Sequence, residues 1–184
     1  MFSFIVAVDK NNGIGKNNKL PWGHCKLDME HFVEKTKGSI VVMGYNTFIS
    51  LRDLGVKMPN RKKVVITKSE ETLTGADYII CDNDTSENRI SALYKKIIAI
   101  SKSEKNNNVF VIGGAKTYEM FSTYYDKGYM TVFNQTYSCD TFLNTDKMCD
   151  GMYVSKTGFV KGAAQVGEEK VGIKFLEFTN DDIE

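Results

Sequence analysis

The stretch Val109-Phe110-Val111-Ile112-Gly113-Gly114-Ala115-Lys116 joins a short apolar run to two glycines and a predicted helix start. An apolar run of this length without alternation is typical of a strand that is buried on both faces. Glycines at such a turn let the backbone approach a phosphate closely, and a helix amino terminus favours an anion. The stretch therefore indicates a nucleotide site in an α/β fold, with a turn that serves packing alone as the alternative.

A second stretch, Met43-Gly44-Tyr45-Asn46-Thr47, repeats this pattern of buried strand, glycine and helix start, and it adds a hydroxyl. In open α/β sheets, ligands bind at the carboxyl ends of the strands. Two such turns in one parallel sheet would lie side by side at that edge. The pair therefore favours nucleotide binding over packing alone.

Further apolar runs alternate with helical patterns along the first two-thirds of the chain. Strands are predicted at 2–8, 39–43, 62–67, 78–80 and 109–112, and helices at 26–35, 44–51, 87–102 (capped by Ser86) and 114–121. Longer strands are predicted at 129–137, 152–159 and 171–178, the last two as an antiparallel hairpin. This order predicts one α/β domain over residues 1–184, with a mainly parallel central sheet, flanking helices and an antiparallel C-terminal edge.

The composition excludes several classes of function. With 24 basic and 23 acidic residues, the net charge is +1, so no strong field favours nucleic acid or an anionic membrane. No apolar run reaches the roughly 18 residues of a membrane helix, and we expect no signal peptide ahead of the first strand. Four cysteines lack CxxC or metal spacing and are expected to be free thiols in a cytoplasmic protein without a metal site: Cys25, Cys81, Cys139 and Cys149.

A single acid stands close to the rigid corner Leu20-Pro21-Trp22. Asp28 and Phe32 are four residues apart, so a helix places the carboxylate and the ring on one face. Such an acid against an apolar wall can grip a cationic or amide-like substrate. The alternative is a surface carboxylate that favours the helix dipole.

Other residues near this corner also have ordinary structural interpretations. Trp22 can be plain core, and Arg61 can be a solvated arginine. His24 and His31 are expected at the surface, and neither has a nucleophile at a recognisable spacing, so no catalytic triad is indicated.

In this order, the pieces resemble the dihydrofolate reductase family. The resemblance runs from Ser3 to about Leu143, and the Leu-Pro-Trp-Gly stretch is most similar to a bacteriophage or divergent bacterial branch. Its motifs are Ile5-Val6-Ala7, Gly13-Ile14-Gly15, Leu20-Pro21-Trp22, Asp28 with Phe32 and Thr36, Val42-Met43-Gly44 with Thr47, Pro59-Asn60-Arg61, Val111-Ile112-Gly113-Gly114 with Tyr118, and Asp140-Thr141. The resemblance implies the NADPH-dependent reduction of 7,8-dihydrofolate to 5,6,7,8-tetrahydrofolate, with hydride added at C6 and a proton at N5.

The resemblance also implies roles for the substrate residues. Asp28 would pair with N3–H and the 2-amino group of the pterin, Thr131 would bond the same carboxylate, and Trp22 would hold an ordered water. Arg61 would form a fork with the α-carboxylate of the substrate's glutamate tail. The remaining substrate-binding positions are Ile5, Val6, Ala7, Met29, Phe32, Ser50, Leu51, Ile112 and Tyr118.

For the cofactor, the resemblance implies that the turn after Ile112 cradles the pyrophosphate and that Tyr118 lies beside the nicotinamide. The residues from Asp9 to Cys25, which we call the lid, would be mobile and supported by the Asp140 region. The implied cofactor-binding positions are Ala7, Ile14, Gly15, Lys19, Leu20, Gly44, Tyr45, Asn46, Thr47, Thr67, Lys68, Ile112, Gly113, Gly114, Ala115, Lys116, Thr117 and Tyr118.

Several positions depart from the family's pattern. Tyr45 stands where a basic residue often reaches the cofactor phosphates, and Lys116 stands where an arginine is common. Thr67-Lys68 keeps a hydroxyl and a cation for the 2′-phosphate, so NADPH is favoured over NADH. Lys19 or Leu20 occupies the lid position often held by methionine, and residues 52–58 form a longer segment than is common.

Two other functions compete with this interpretation. A reductase of the same fold that acts on a pyrimidine intermediate of riboflavin synthesis lacks the Pro-Trp corner followed by the acid. A non-catalytic nucleotide-binding or virion-structural protein has no need of Asp28, Trp22, Arg61 and Thr131 together. We therefore expect a monomeric reductase that binds dihydrofolate and antifolates such as methotrexate.

Overall fold

The computed structural model describes residues 1–69, 72–166 and 169–180, with only the backbone course for 159–164. The strands are β1 (Phe2–Val8), β2 (Gly13–Gly15), β3 (Ile40–Gly44), β4 (Lys62–Thr67), β5 (Tyr78–Cys81), β6 (Val109–Gly113), β7 (Lys127–Phe133), β8 (Thr141–Phe142), β9 (Met152–Val166) and β10 (Glu169–Asn180). The helices are α1 (Lys26–Thr36), α2 (Tyr45–Asp53), α3 (Arg89–Ser103), α4 (Ala115–Met120) and α5 (Thr145–Met148), with a 3-10 turn at Ser122–Tyr124.

Within the described residues, eight strands form one sheet in the order β5-β4-β3-β6-β1-β7-β10-β9. The first six strands of that order are parallel, whereas β10 runs antiparallel to both β7 and β9. The predicted mainly parallel sheet with an antiparallel C-terminal edge is therefore confirmed. The strands β3 and β6 are neighbours, so the turns that follow them lie at the same edge of the sheet.

Alternate residues of each central strand belong to two separate cores, as the side-chain period of two requires. In β1, for example, Phe4 packs with α3 and α4 on one face, whereas Ile5 packs with α1 and α2 on the other. Because both faces of the sheet are covered by helices, the parallel strands read as continuous apolar runs.

The lid contains a short hairpin of its own. The backbones of Lys16 and Lys19 exchange two hydrogen bonds of 2.9 and 3.0 Å around Asn17 and Asn18. These two asparagines have φ angles of 50° and 57°, a left-handed conformation that asparagine tolerates better than most residues. The lid base, β2, pairs with β8 in a separate two-stranded sheet that the sequence patterns did not predict.

Three local predictions were wrong. The third helix begins at Arg89 with Asn88 as its N-cap, and Ser86 makes no side-chain capping bond to it. The strand predicted at 129–137 ends at Phe133, because the chain then turns to meet the lid. His31, expected at the surface, is half-buried with its ring 4.4 Å from that of Phe175, because α1 lies on β10 there.

Candidate active site

Asp28 lies in the first turn of α1 and is only 5% exposed. The preceding backbone enters the helix at Cys25, whose carbonyl accepts the N–H of Met29. Burial raises the pKa of Asp28 to about 6, and a hydrogen bond with the Thr131 side chain acts in the opposite direction. The surface interpretation of this acid is therefore wrong.

Thr131 reaches Asp28 because β7 lies beside β1 in the sheet. Thr131 is 1% exposed and pairs with Ala7, near the carboxyl end of β1. On the other side of β1, Tyr118 of α4 is buried and donates a 2.8 Å hydrogen bond from its hydroxyl to the carbonyl oxygen of Ile5. Burial raises the pKa of Tyr118, and the nearby charge of Asp28 adds to this rise.

Trp22 is buried at the exit of the lid. Its ring stacks on Phe133 at a centroid distance of 4.3 Å, and Tyr137 meets it edge-on at 5.7 Å. The indole N–H is buried and has no hydrogen-bond partner among the described residues. A buried donor of this kind is typical of a site that binds a further polar group.

Four of the predicted apolar positions lie in one core on the α1 and α2 face of the sheet: Ile5, Phe32, Leu51 and Ile112. Together with Asp28 they form what we call the slot. Val6 differs, because its side chain packs in the opposite core, and only its backbone is available to the slot. Ser50 of α2 donates a hydrogen bond from its hydroxyl to the carbonyl oxygen of Asn18, which joins the lid to this helix.

Arg61 follows the Pro-Asn turn and is 9% exposed, so it is not a solvated arginine. Its Nη1 donates to Thr36 Oγ1 at 3.1 Å, its Nε donates to the Pro59 carbonyl at 3.3 Å, and its guanidinium lies 5.8 Å from the centre of the Phe32 ring. No carboxylate of the described chain lies within ion-pair distance of it. Burial lowers the pKa of Arg61.

Thr36 makes a contact with Arg61 that the sequence did not predict. The sequence pattern includes it only as part of a motif, yet its hydroxyl accepts from Arg61 and donates to the Phe32 carbonyl at 2.7 Å. The spacing carried a usable signal, because residues 28, 32 and 36 follow one another at intervals of four and therefore share one helix face.

The two glycine turns lie against each other at the carboxyl edge of the sheet. A Cβ atom on Gly44 would come within 2.8 Å of Thr117 Oγ1, and one on Gly113 within 3.1 Å of Thr47 Oγ1. Gly113 also has a φ of 142°, and its peptide bond to Gly114 is cis. The lack of a Cβ at these glycines therefore lets the Thr47 and Thr117 side chains pack against the two turns, and the backbone amides and hydroxyls gathered there suit a phosphate group.

The predicted phosphate-side residues differ in exposure. Thr47 is partly buried and Thr117 is buried within the two turns, whereas Tyr45, Asn46 and Lys116 are exposed beside them. On the next strand outward, Thr67 is buried at the end of β4, where its Oγ1 accepts the Ser69 N–H at 3.1 Å, and Lys68 is exposed. These positions lie in a row along neighbouring strand ends.

The predicted support of the lid by Asp140 has a direct structural counterpart. Asp140 Oδ2 accepts the backbone N–H of Asn17 at 2.7 Å, and the Asp140 N–H donates to the Gly15 carbonyl at 3.0 Å. The bond from Asn17 is the main reason that the pKa of Asp140 is lowered. Ile14 and Gly15 are partly buried, whereas Lys19 and Leu20 at the lid tip are exposed.

Neither a membrane helix nor a metal cluster stands among the described residues. No helix there is long and apolar enough to cross a membrane, and no group of three His, Cys, Asp or Glu side chains could hold a metal ion. The four cysteines are free, and Cys25 is buried.

Comparison of the sequence with known proteins identifies its family. Residues 1–158 match the family model for dihydrofolate reductase. The chain is 34% identical over 140 residues to dihydrofolate reductase of Bacillus subtilis (strain 168), covering 76% of this chain and 73% of that protein. It is 34% identical over 142 residues to dihydrofolate reductase type 9 of Escherichia coli, covering 77% and 75%.

A solved structure shares the whole fold. Dihydrofolate reductase from Enterococcus faecalis, complexed with NADP(H) and RAB-propyl, superposes with a TM-score of 0.76 at 24% identity, covering 99% of this chain and 97% of that one. The Bacillus and Escherichia relatives are bacterial, and they lend no support to the bacteriophage branch that the Leu-Pro-Trp-Gly stretch suggested.

Proposed function

The chain belongs to the dihydrofolate reductase family, and on this premise we propose which residues carry the reaction. The protein is an NADP-dependent oxidoreductase of folate metabolism that reduces 7,8-dihydrofolate to 5,6,7,8-tetrahydrofolate. The single observation that carries the assignment of residues is the buried Asp28 carboxylate, held by Thr131 at one end of an apolar slot.

Asp28 orients the pterin and makes its protonation easier. A carboxylate buried at the wall of the slot accepts two parallel hydrogen bonds from N3–H and the 2-amino group, a geometry that fixes the plane of the ring. The Thr131 hydroxyl, itself buried, holds the carboxylate in place. The indole N–H of Trp22, which has no partner among the described residues, would hold a water that passes a proton towards N5.

Arg61 binds the other end of the substrate. Two of its five N–H groups are held by Thr36 and Pro59, so the guanidinium is fixed while its remaining donors stay available. Since it is nearly buried and has no acidic partner in the described chain, it favours an incoming carboxylate. We assign it to the α-carboxylate of the glutamate tail. The apolar residues between Arg61 and Asp28 exclude water from the ring.

The two glycine turns suit a dinucleotide, because glycine lets the Thr47 and Thr117 hydroxyls and the backbone amides gather at one edge of the sheet. A Cβ atom at Gly44 or Gly113 would instead come within 2.8 or 3.1 Å of a threonine hydroxyl. When bound, NADPH supplies the hydride that C6 of the pterin accepts. The backbone from Gly113 to Thr117, with Thr47, would hold the pyrophosphate, and Tyr118 would contact the nicotinamide. Thr67 and Lys68 would bind the 2′-phosphate, and the exposed Tyr45, Asn46 and Lys116 would contact the cofactor from the surface.

The lid covers the slot during the reaction. Ser50 of α2 bonds to the lid, and so does Asp140, which lies just before β8 in the segment that follows β7. We propose that Ile14, Gly15, Lys19 and Leu20 contact the cofactor from this lid, and that Met29 and Leu51 contact the substrate. We further propose that residues 1–184 form one domain that acts as a cytoplasmic monomer and binds antifolates such as methotrexate.

The test is the loss of reduced-nicotinamide absorbance with purified protein, NADPH and dihydrofolate, with and without methotrexate. Oxidation that methotrexate blocks is the expected result. A folded protein that binds NADPH yet oxidises none would contradict the proposal and direct attention to a pyrimidine substrate. Replacing NADPH by NADH in the same assay tests the assigned roles of Thr67 and Lys68.

A further inference from the structure

Asp9 is a buried carboxylate, 1% exposed, that the assigned roles leave without a function beyond marking the start of the lid. Its Oδ1 accepts the backbone N–H groups of Asn11 and Gly13, both at 2.8 Å. Its Oδ2 accepts the backbone N–H of Tyr137 at 2.9 Å and the thiol of Cys139 at 3.7 Å. Each oxygen therefore holds one of two chain segments, the lid base and the segment that follows β7.

These bonds stand close to the groups that hold the pterin. Asp9 directly follows β1, whose Ala7 pairs with Thr131, the partner of Asp28. Gly13 begins β2, and a Cβ atom there would come within 2.3 Å of the Cys139 sulfur, so the two segments are in close contact. A shift of the lid base is therefore tied to the position of β1.

We propose that Asp9 is a positioning residue whose carboxylate joins the lid base to the segment after β7 and so sets the lid over the slot. This inference rests on the proposed reductase function. Both carboxylate oxygens are required, because four donors converge on the group. An asparagine has one acceptor oxygen, and its NH₂ group would face the N–H donors of one segment.

The decisive variant is Asp9→Asn, and Asp126→Asn is its matched control. Asp126 accepts the Phe2 N–H at 2.6 Å, so it holds the amino end of the same strand, away from the lid. Because small displacements of the reacting groups slow the chemistry, Asp9→Asn is expected to lower the single-turnover rate of hydride transfer by about tenfold. The KM for dihydrofolate should change by less than about twofold, since the slot residues are intact.

Trp22 provides a second readout that does not need turnover. It is the only tryptophan of the chain and lies at the lid exit, so its emission reports on that region. We expect Asp9→Asn to shift this emission and Asp126→Asn to leave it unchanged. Equal hydride-transfer rates and equal emission in the two variants, with urea unfolding showing both folded, would overturn the proposal and leave Asp9 a structural role only.

Two variants of Cys139, to serine and to alanine, keep the inference testable if Asp9→Asn does not fold. Cys139→Ser retains a donor to Oδ2, whereas Cys139→Ala removes it, so only the alanine variant should slow hydride transfer. Identical rates for the two variants would contradict the proposal. If the wild-type protein failed to reduce dihydrofolate, the proposed function would be wrong. The Trp22 emission of the Asp9→Asn and Asp126→Asn variants would still test whether Asp9 positions the lid.

Discussion

The hydroxyl of Tyr118 donates a 2.8 Å hydrogen bond to the carbonyl oxygen of Ile5, and both residues are buried. The pairing of β1 with β6 ends at Phe4, so this bond connects the next residue of β1 to α4. It thereby joins the cofactor side of the site to the strand that lines the slot.

Removing this bond should cost stability. In Tyr118→Phe, the Ile5 carbonyl loses its buried partner, and an unmatched buried acceptor costs about 1–3 kcal/mol. Urea unfolding of the variant should show that loss in the free energy of unfolding. Tyr153→Phe is the control, because Tyr153 is 49% exposed and its change should stay within about 0.5 kcal/mol. Equal stabilities would mean that water replaces the hydroxyl.

Asp28 should make the ligand-free protein less stable as the pH rises. Its pKa is raised from 3.8 to about 6, so the folded state binds the proton more tightly than the unfolded state. Its contribution is fully present below pH 3.8 and is lost as the pH rises through 6. At about 1.4 kcal/mol per pKa unit, the loss approaches about 3 kcal/mol.

Asp28→Asn should remove that pH dependence and be more stable than the wild type at neutral pH. Urea unfolding between acid and neutral pH measures it, with Glu30→Gln, an exposed acid of the same helix, as the control. A wild-type curve with the same slope as that of Asp28→Asn would place the titrating group elsewhere.

The same substitution should lower activity at neutral pH. Without the carboxylate, the pterin is held less firmly and its protonation is not assisted, so turnover falls by about 10²-fold or more. Rescue in acid should be partial, because the substrate then arrives protonated. The pH profile of kcat measures this. A neutral-pH turnover close to that of the wild type would show that Asp28 is not the acid of the reaction.

Arg61→Ala should weaken the binding of dihydrofolate and methotrexate by about 2–5 kcal/mol, as for a buried charge pair that loses one partner. Quenching of Trp22 emission measures both dissociation constants. Arg52→Ala is the matched control, because Arg52 is exposed and pairs only with its neighbour Asp53 in the described chain. Unchanged antifolate binding in Arg61→Ala would move the glutamate-tail site elsewhere.

Gly44→Ala should impair the binding of NADPH, because the new methyl group would lie 2.8 Å from Thr117 Oγ1. An expected tenfold rise in the dissociation constant corresponds to about 1.4 kcal/mol. Adding Thr117→Ala should restore part of the affinity, because the clash is then relieved. Gly158→Ala, whose nearest neighbour would be 3.9 Å away, serves as the control. Additive effects of the two substitutions would contradict this explanation.

Most of the fold could be predicted from the sequence, because the signals that specify it are local. Apolar runs such as Phe2–Val8 and Val109–Gly113 mark strands buried on both faces, and the glycines after Met43 and Ile112 mark their ends. The spacing of Asp28 and Phe32 placed both residues on one helix face. The ends of elements were less predictable, and the strand expected at 129–137 stops at Phe133 because of a contact with the lid.

The sequence alone determined the residue types, their order and the helix and strand periods, and these were enough to indicate the family and its reaction. Only the tertiary structure decided burial, because burial depends on segments distant in the chain. It placed Asp28 against Thr131, far along the chain, and Arg61 against Thr36. It also brought Tyr137 and Cys139 to Asp9. A carboxylate's pKa and partners follow from such packing, which no local pattern encodes.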